Sequence, residues 1–436
     1  MAADTIFAVS SGRPPAAIAV LRISGAAAID AATRLAGKLP PPRRAGVRAL
    51  HDPVDGQLLD SALILVFPGP ATATGEDLVE LHLHGGRAVV AAVERALAAI
   101  DGLRAAEPGE FTRRALAHGR IDLTEAEGLG DLLSAETDAQ RRMALANSDG
   151  RLRRTVAEWS AAATRLSAMV EAVLDHADED DVDAGDDVLT SVRREATALA
   201  DAITAVLAVP PVERLRDGIR VVLAGPPNAG KSTLLNALVG REAAIVSPLA
   251  GTTRDVIEIP VTRSGIAWLF LDTAGLREDS SDPIERIGID RATGSMATAD
   301  IVLWLGDDPA PVEAIALHPR CDVRDAIAVP ADRIAVPADR IAVSATTGQG
   351  LDRLWQQLVD RAATLLPKVD DLSLNRRQAA HAGTAAAALM RAGRQQDPLL
   401  LAEELRYGVQ AFAALTGMRA TEAVLDDLFG RFCIGK

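Results

Sequence analysis

The period of the hydrophobic positions changes along the chain. From Thr5 to about His118, short apolar runs alternate with glycine and proline, and the runs at 17–23, 61–67 and 78–84 read as strands. Val90, Val93, Leu97 and Ile100 then recur at helical spacing, so this zone predicts an α+β domain. The string Leu39-Pro40-Pro41-Pro42 cannot continue a helix and predicts an exposed loop.

Between about 121 and 212 the pattern is helical throughout. It opens with Thr124 and Glu127 in capping-box spacing ahead of Leu129, Leu132 and Leu133. Further helices are expected to bury Leu152, Val156 and Trp159, then Leu166, Val170 and Leu174. The acidic run 175–181 lacks the spacing of a calcium loop and reads as a solvated connection. From about 215 to 366, strands alternate with helices and glycine-rich turns, the pattern of a parallel-sheet α/β unit. Helical spacing returns from about 372 to 432, with Leu401, Leu405, Val409 and Phe412 on one face. A helical domain split by an inserted α/β domain is the economical reading, and two separate helical domains fit the periodicity equally well. The heptad at 327–333 is repeated at once at 334–340, which reads as a duplicated loop and strand rather than a solenoid.

Composition narrows the class. A chain of 436 residues with 48% hydrophobic and 24% charged residues is globular and long enough for several cores, expected to be aliphatic because aromatics are only 3%. A net charge of -14 argues against a surface that grips nucleic acid everywhere. Two cysteines, Cys321 and Cys433, are too few for a disulfide framework and fit a reducing compartment. No apolar run is expected to approach a membrane span and no secretory leader is recognisable, so the expectation is a cytoplasmic protein with no membrane partner.

The chemistry is most legible at Gly225-Pro226-Pro227-Asn228-Ala229-Gly230-Lys231-Ser232, which follows an apolar strand at 219–224 and precedes a helical run from Thr233. That context makes it a phosphate loop. Asn228, Ala229, Gly230 and Thr233 shape or flank the cradle, Lys231 supplies a cation to the β/γ-phosphates, and the Ser232 hydroxyl can ligate Mg2+. Gly251-Thr252-Thr253-Arg254-Asp255 lies downstream, ahead of strands at 256–261 and 266–271 and then Asp272-Thr273-Ala274-Gly275. A threonine able to close on magnesium, Asp272 holding the ion through water and a Gly275 N–H near the γ-phosphate make a switch GTPase that binds GTP and GDP. Asp322, in Pro319-Arg320-Cys321-Asp322, is the candidate acceptor for the guanine N1 and N2 hydrogens, and Ser344, Ala345 and Thr346 form the candidate loop for O6. The usual Asn-Lys-x-Asp pattern is degenerate here, with Pro319 for asparagine and Arg320 for lysine. The segment between Asp307 and Cys321 is also short for an intervening helix, and Leu276 stands where Ras-like enzymes carry the water-orienting glutamine.

These strings, together with Ile284-Glu285-Arg286-Ile287-Gly288, Leu21-Arg22-Ile23-Ser24-Gly25, Thr74-Gly75-Glu76-Asp77, Pro108-Gly109-Glu110-Phe111-Thr112 and the terminal Phe432-Cys433-Ile434-Gly435-Lys436, resemble the MnmE (TrmE) family of tRNA-modification GTPases. The resemblance implies a multidomain protein of mixed α/β and α+β class. Its parts would be an α+β tetrahydrofolate-binding and dimerising domain at 1–118, a discontinuous all-α domain at 119–213 and 367–436, and an inserted P-loop G domain at 214–366.

It further implies potassium-stimulated hydrolysis of GTP, with K+ held by Asn228, Ser247, Leu249 and Thr252, Mg2+ held by Ser232 and Thr253, and Glu285 acting on water. A tetrahydrofolate derivative, 5,10-methylene- or 5-formyl-tetrahydrofolate, would meet Arg22, Glu76, Arg120 and Lys436. The implied assembly is a homodimer working with an MnmG-type FAD protein on tRNA, adding a carboxymethylaminomethyl or aminomethyl group at C5 of the wobble uridine. Cys433 reads equally as a nucleophile near folate and as a small residue of a packed tail. His82 and His84 share a strand face and lack an evident third ligand. Rival readings are a ribosome-assembly GTPase, for which no basic appendage is visible, and a nucleotide-binding scaffold with impaired guanine selection.

Overall fold

The computed structural model describes residues 4–175, 182–226, 228–240, 257–272, 298–324, 340–368, 370–418 and 421–435. They form two compact units, one made of Met1–Gly130, Asn147–Ala161 and Phe412–Lys436, the other of Asp131–Ala146 and Ala162–Ala411.

The first unit begins with β1 (Thr5–Val9), β2 (Ile18–Ser24), α1 (Ala28–Ala36), β3 (Gly46–His51), β4 (Leu58–Phe67), β5 (Leu78–His84), α2 (Arg87–Ala98), β6 (Leu103–Ala105) and α3 (Glu110–Ala117). Its six-stranded sheet has the order β3-β4-β5-β2-β1-β6. Alternation sends Leu21, Ile23, Leu81 and Leu83 to one face, where Ala31, Ala32 and Leu35 of α1 and Val93 and Leu97 of α2 cover them. On the other face, register aligns Leu65, Glu80, Arg22 and Ala8 in one row across β4, β5, β2 and β1. Of these strands, β2, β4, β5 and the helix α2 follow the hydrophobic pattern. β1 escaped it because both its faces are buried, Ile6 and Ala8 packing on Ala106 and Phe111 while Phe7 joins the main core, so no alternation shows.

The helices that follow are α4 (Leu123–Ser134), α5 (Asp138–Ser148), α6 (Arg151–Asp175), α7 (Val182–Leu207) and α8 (Val212–Arg216). The capping box at the start of α4 corrects the sequence expectation. It is formed by Asp122, whose Oδ1 accepts from the Glu125 N–H at 2.9 Å, and by Glu125, whose Oε2 accepts from the Asp122 N–H at 2.9 Å. Thr124 sits inside the helix and donates its hydroxyl to Asp122 Oδ1 at 2.7 Å. A second correction concerns membranes, since the stretch Gly185–Arg216 is long and apolar enough by composition, with a mean hydropathy of 1.3. Leu199, Ile203, Val206, Leu207, Val209 and Val212, with alanines between them, supply that average, and α7 lies against a later helix.

The second sheet is built from β7 (Ile219–Ala224), followed by α9 (Lys231–Val239), β8 (Ile257–Arg263), β9 (Ile266–Asp272), β10 (Ile301–Trp304), β11 (Ile315–Pro319), the short α10 (Cys321–Arg324), β12 (Ile341–Val343) and α11 (Leu351–Leu365). Its order is β12-β11-β10-β7-β9-β8, with all strands parallel except β8. The core against α9 and α11 is not wholly aliphatic, because Trp268 and Phe270 meet Trp355 edge-on at 5.6 and 5.8 Å between centroids. No helix joins β10 to β11, as the short spacing predicts. Arg340, the last residue of the repeat, donates to the carbonyls of Gly306, Asp307 and Asp308 in that connection, at 3.0 Å and 2.7 Å for the last two. The rest of the repeat, residues 327–339, lies outside the described residues, as do 176–181.

The chain closes with α12 (Arg376–Arg394), α13 (Pro398–Leu415) and α14 (Glu422–Gly430). α12 packs on α7, with Gly393 against Thr197, and its Ala382, Ala385, Ala388, Leu389 and Ala392 are fully buried. Where the chain passes into and out of the second sheet, its two strands of backbone are tied together. Ser373 Oγ donates to Pro210 O at 2.6 Å, the Val212 N–H to Leu374 O at 3.2 Å, and the Arg376 N–H to Glu213 Oε1 at 2.7 Å. Buried Gln140 of α5 adds Nε2 bonds of 3.0 Å to the carbonyls of Leu215 and Arg216.

Candidate functional site

β7 delivers the phosphate loop. Val221, Val222 and Leu223 are buried, and the chain leaves the strand at Gly225 with φ +147, where a Cβ would stand 3.1 Å from the Gly306 nitrogen. Gly230, at φ +93, caps α9. The backbone N–H groups of Gly230, Ser232 and Thr233 have no hydrogen-bond partner among the described residues. Unpaired donors at a helix N-terminus are the complement of a phosphate. Lys231 lays its Nζ across the loop, 3.0 Å from Gly225 O and 2.9 Å from Pro226 O. The Ser232 side chain is exposed at the second position of the helix, and exposed Asn228 adopts φ +59 beside Ala229. A hydroxyl and an amide oxygen with no competing partner among the described residues suit hard cations next to phosphate oxygens.

Two further loops leave the same edge of the sheet. Parallel pairing of Pro319 with Val343 sets the carboxyl ends of β11 and β12 side by side. After buried Pro319 the chain turns through Arg320 at φ +59, and the Val323 N–H closes the turn on Arg320 O at 3.0 Å, leaving Asp322 half-buried. Arg320 Nε lies 3.5 Å from where a Cβ on Gly230 would be, so its side chain reaches over the phosphate loop. In the neighbouring loop Ser344 is fully buried, and it accepts from the Gly348 N–H at 2.9 Å and the Thr347 N–H at 3.1 Å. Those bonds leave the Ala345 and Thr346 N–H groups without partners among the described residues. The structure thus gathers Asn228, Ala229, Gly230, Lys231, Ser232 and Thr233 with Asp322, Ser344, Ala345 and Thr346 at one sheet edge. Asp272 ends β9 on that edge, its side chain outside the described residues. Ser247, Leu249, Thr252, Thr253, Gly275 and Glu285 also lie outside them.

The residues expected at folate fall around one loop of the first unit. Arg22 Nε is bound to Glu80 Oε1 at 2.8 Å. Glu76 accepts from Ser24 Oγ at 2.8 Å and from Arg114 at 3.1 Å, and Arg120 Nε donates to Thr72 O at 3.0 Å. Only the Nε of Arg120 is engaged among the described residues, so its terminal nitrogens are available to a carboxylate. Lys436 lies outside the described residues. The organising residue that the sequence reading passed over is Arg114, which also binds Asp4 at 2.7 Å and Glu110 at 3.1 Å. Burial lowers its pKa, and Glu76 and Glu110 more than offset that, leaving the guanidinium firmly charged. The Glu110 and Arg114 i,i+4 pair was the available signal. His118 Nδ1 lies 2.8 Å from Thr74 O, and Gly75, at φ +84, allows His118 a contact that any Cβ would obstruct at 2.7 Å. His82 and His84 find carboxylates, Glu80 at 3.4 Å and Asp60 at 2.7 Å, and no cluster of three metal-binding side chains exists among the described residues.

The carboxyl tail is strapped to the same unit. Pro108 and Ile434 form a β-bridge, Ser10 Oγ donates to Gly435 O at 2.7 Å, and Gly435 at φ +93 sits where a Cβ would be 2.1 Å from Val9 O. Phe432 and Gly435 are the packed residues of this tail, and Cys433 between them is exposed.

Two family models match the chain: the one described as GTP-binding protein TrmE N-terminus covers residues 5–120, and the MnmE helical domain covers residues 123–433. Among curated proteins, the tRNA modification GTPase MnmE of Erythrobacter litoralis is 54% identical over 434 residues, spanning 99% of this chain and 100% of that protein. The proteins of the same name from Novosphingobium aromaticivorans and Rhizorhabdus wittichii are 51% and 54% identical, with 99% and 100% of this chain and 100% and 97% of theirs aligned.

Proposed function

The chain belongs to the MnmE family of tRNA modification GTPases, and from that membership we propose that it is a potassium-stimulated, cytoplasmic, homodimeric GTPase acting on the wobble uridine of tRNA. An MnmG-type FAD protein would be its partner, and the product a carboxymethylaminomethyl or aminomethyl group at C5. The proposed division is a tetrahydrofolate-binding domain at 1–118, a helical domain at 119–213 and 367–436, and an inserted G domain at 214–366.

The observation that carries the GTPase part is the convergence of three sets of groups at one sheet edge. N–H groups at Gly230, Ser232 and Thr233, unpaired among the described residues, receive phosphate oxygens, Asp322 accepts from guanine, and the N–H groups of Ala345 and Thr346, likewise unpaired among those residues, donate to it. Lys231 exchanges its carbonyl partners for phosphate oxygens on binding. Ser232 and Thr253 would hold Mg2+, and Asn228, Ser247, Leu249 and Thr252 would hold K+. Together the ions would supply positive charge against the charge that develops on the transferring phosphoryl group. Glu285 would orient the attacking water, a task Leu276 cannot perform. Folate would supply the transferred carbon, with Arg22, Glu76, Arg120 and Lys436 binding it and GTP hydrolysis driving the conformational change.

The test is hydrolysis by the purified chain in potassium and in sodium, with ATP as the base control and Asp322→Ala alongside. Stimulation by potassium, confined to GTP and lost in the variant, is the expected result. Indifference to the cation would remove the Asn228 potassium site, and equal use of ATP would remove Asp322 as the base reader.

A further inference from the structure

The phosphate loop turns against a piece of backbone that belongs neither to the loop nor to α9 behind it. Residues 305–314, which join β10 to β11, contain no helix or strand. Their near end runs beside β7: the Leu305 N–H donates to Ala224 O at 2.8 Å, and a Cβ on Gly225 would stand 3.1 Å from the Gly306 nitrogen and 3.2 Å from Leu305 Cβ. Gly225 makes its turn, at φ +147, inside that space. The position of Leu305 and Gly306 therefore sets where the Gly225 and Pro226 carbonyls point, and those two carbonyls hold Lys231 Nζ at 3.0 and 2.9 Å.

The near end of this connection is fixed by a side chain from another part of the sheet. Arg340, the residue before β12, spreads its guanidinium over four carbonyl oxygens. Nη1 donates to Gly306 O and, at 3.3 Å, to Leu317 O of β11, while Nη2 donates to Asp307 O at 3.0 Å and to Asp308 O at 2.7 Å. Trp304 adds a bond from Nε1 to Asp308 O at 3.2 Å. A planar fork of N–H donors suits three successive carbonyls of an irregular segment, which a point donor cannot meet together.

We propose that Arg340 is a positioning residue for the nucleotide: by pinning the carbonyls of Gly306, Asp307 and Asp308 it fixes the backbone wall against which the phosphate loop turns, and so sets how tightly the loop and Lys231 hold the phosphates. The inference rests on the GTPase reading above and deepens it. Arg340 acts through Gly306 and Gly225, on the phosphates and not on the base.

Competition against a fluorescent GDP on the full-length protein tests it, with Arg340→Ala, Arg340→Lys and Arg361→Ala. Arg361 is the control, because its Nη2 donates to Glu313 O at 3.0 Å at the other end of the same connection. Arg340→Ala should bind GTP and GDP about tenfold more weakly, with the preference for GTP over ITP unchanged, since those two differ only in the base. Arg340→Lys, whose ammonium cannot span the carbonyls, should be about threefold weaker than the native chain, and Arg361→Ala should stay within about twofold of it. Millimolar guanidinium chloride should return Arg340→Ala towards the native affinity by refilling the carbonyl cradle; no recovery would make the loss one of general loosening and overturn the proposal. Equal affinities of the native chain and Arg340→Ala overturn it, as does an equal loss in Arg361→Ala. A change in the GTP over ITP preference would assign Arg340 to the Ser344 loop and overturns it as well. Failure of the native chain to bind GDP overturns the GTPase reading itself, so the two failures are distinguishable. Should Arg340→Ala not fold, Arg340→Lys decides, an affinity equal to that of the native chain overturning the proposal.

Discussion

Asp122 shows how one carboxylate can serve the fold and cost it at once. Its Oδ1 caps α4, while its Oδ2 is buried with no hydrogen-bond partner. Burial pushes its pKa up, the neighbouring Glu125 charge adds to that, and the bonds from Thr124 and the Glu125 N–H only partly oppose it. A carboxyl group raised in the folded state contributes stability that is complete below its unfolded value and lost as pH rises through the folded one. As pH rises through that range the native chain takes on the penalty of a buried charge. Asp122→Asn keeps a good cap and removes that charge, so it should melt higher than the native protein at pH 7, with the gap closing towards pH 4. Asp122→Ala loses the cap and should cost about 1 kcal/mol relative to Asp122→Asn. Thermal melts of the three proteins at both pH values settle it, and a native chain more stable than Asp122→Asn at pH 7 refutes the account.

Elements position the site through a few glycines. Gly350 starts α11 at φ +77, and a Cβ there would lie 1.9 Å from Ala342 O, against the strand that leads into the Ser344 loop. Gly350→Ala should cost about 1–3 kcal/mol in backbone strain and weaken GTP binding as the loop is pushed off β12. Gly430, with nothing within 4 Å of a Cβ, is the control. Gly430→Ala should leave GTP binding unchanged and stability within about 0.5 kcal/mol. Titration and melts of both variants read the difference. The same scale explains what the sequence made legible. β5, β7 and the β8–β9 hairpin showed because their apolar runs are bounded by turn residues, and the phosphate loop because its donors are contiguous. β3 stayed hidden as an edge strand that buries only Leu50 and exposes Val47, Ala49 and His51, so its apolar positions do not mark an inner face. The α4 cap was placed two residues late because Thr124 and Glu127 satisfy the same spacing as Asp122 and Glu125, and only the geometry separates them. The Arg114 clamp shows only its Glu110 partner as a local i,i+4 pair, while Asp4 and Glu76 come from distant parts of the chain and no local pattern announces them.

For the whole molecule, the joint at Pro210, Val212, Glu213, Ser373, Leu374 and Arg376 bears on how the parts were put together. Three hydrogen bonds tie the backbone before β7 to the backbone before α12, so the ends of the excursion between them are already held together. The loop-closure cost of linking such ends is small, and a chain tolerates insertion or excision where it is small. α7 and α12 keep their contact on the far side of that joint, with Gly393 admitting Thr197 where a Cβ would lie 2.1 Å from its Oγ1. Residues 218–371 should therefore be replaceable by a short flexible linker, leaving a protein that retains its helical circular dichroism and a cooperative melt but hydrolyses no GTP. The two compact units divide the chain elsewhere, at residues 130, 146, 161 and 411, so the experiment separates two pictures. If the helices of the second unit owe their stability to the sheet they are grouped with, the excised protein loses its helical signal and the inserted-domain division falls. If the joint suffices, the helical part stands alone, with α8 and the bonds that Gln140, Glu213 and Ser373 make there as a link between the two parts among the described residues.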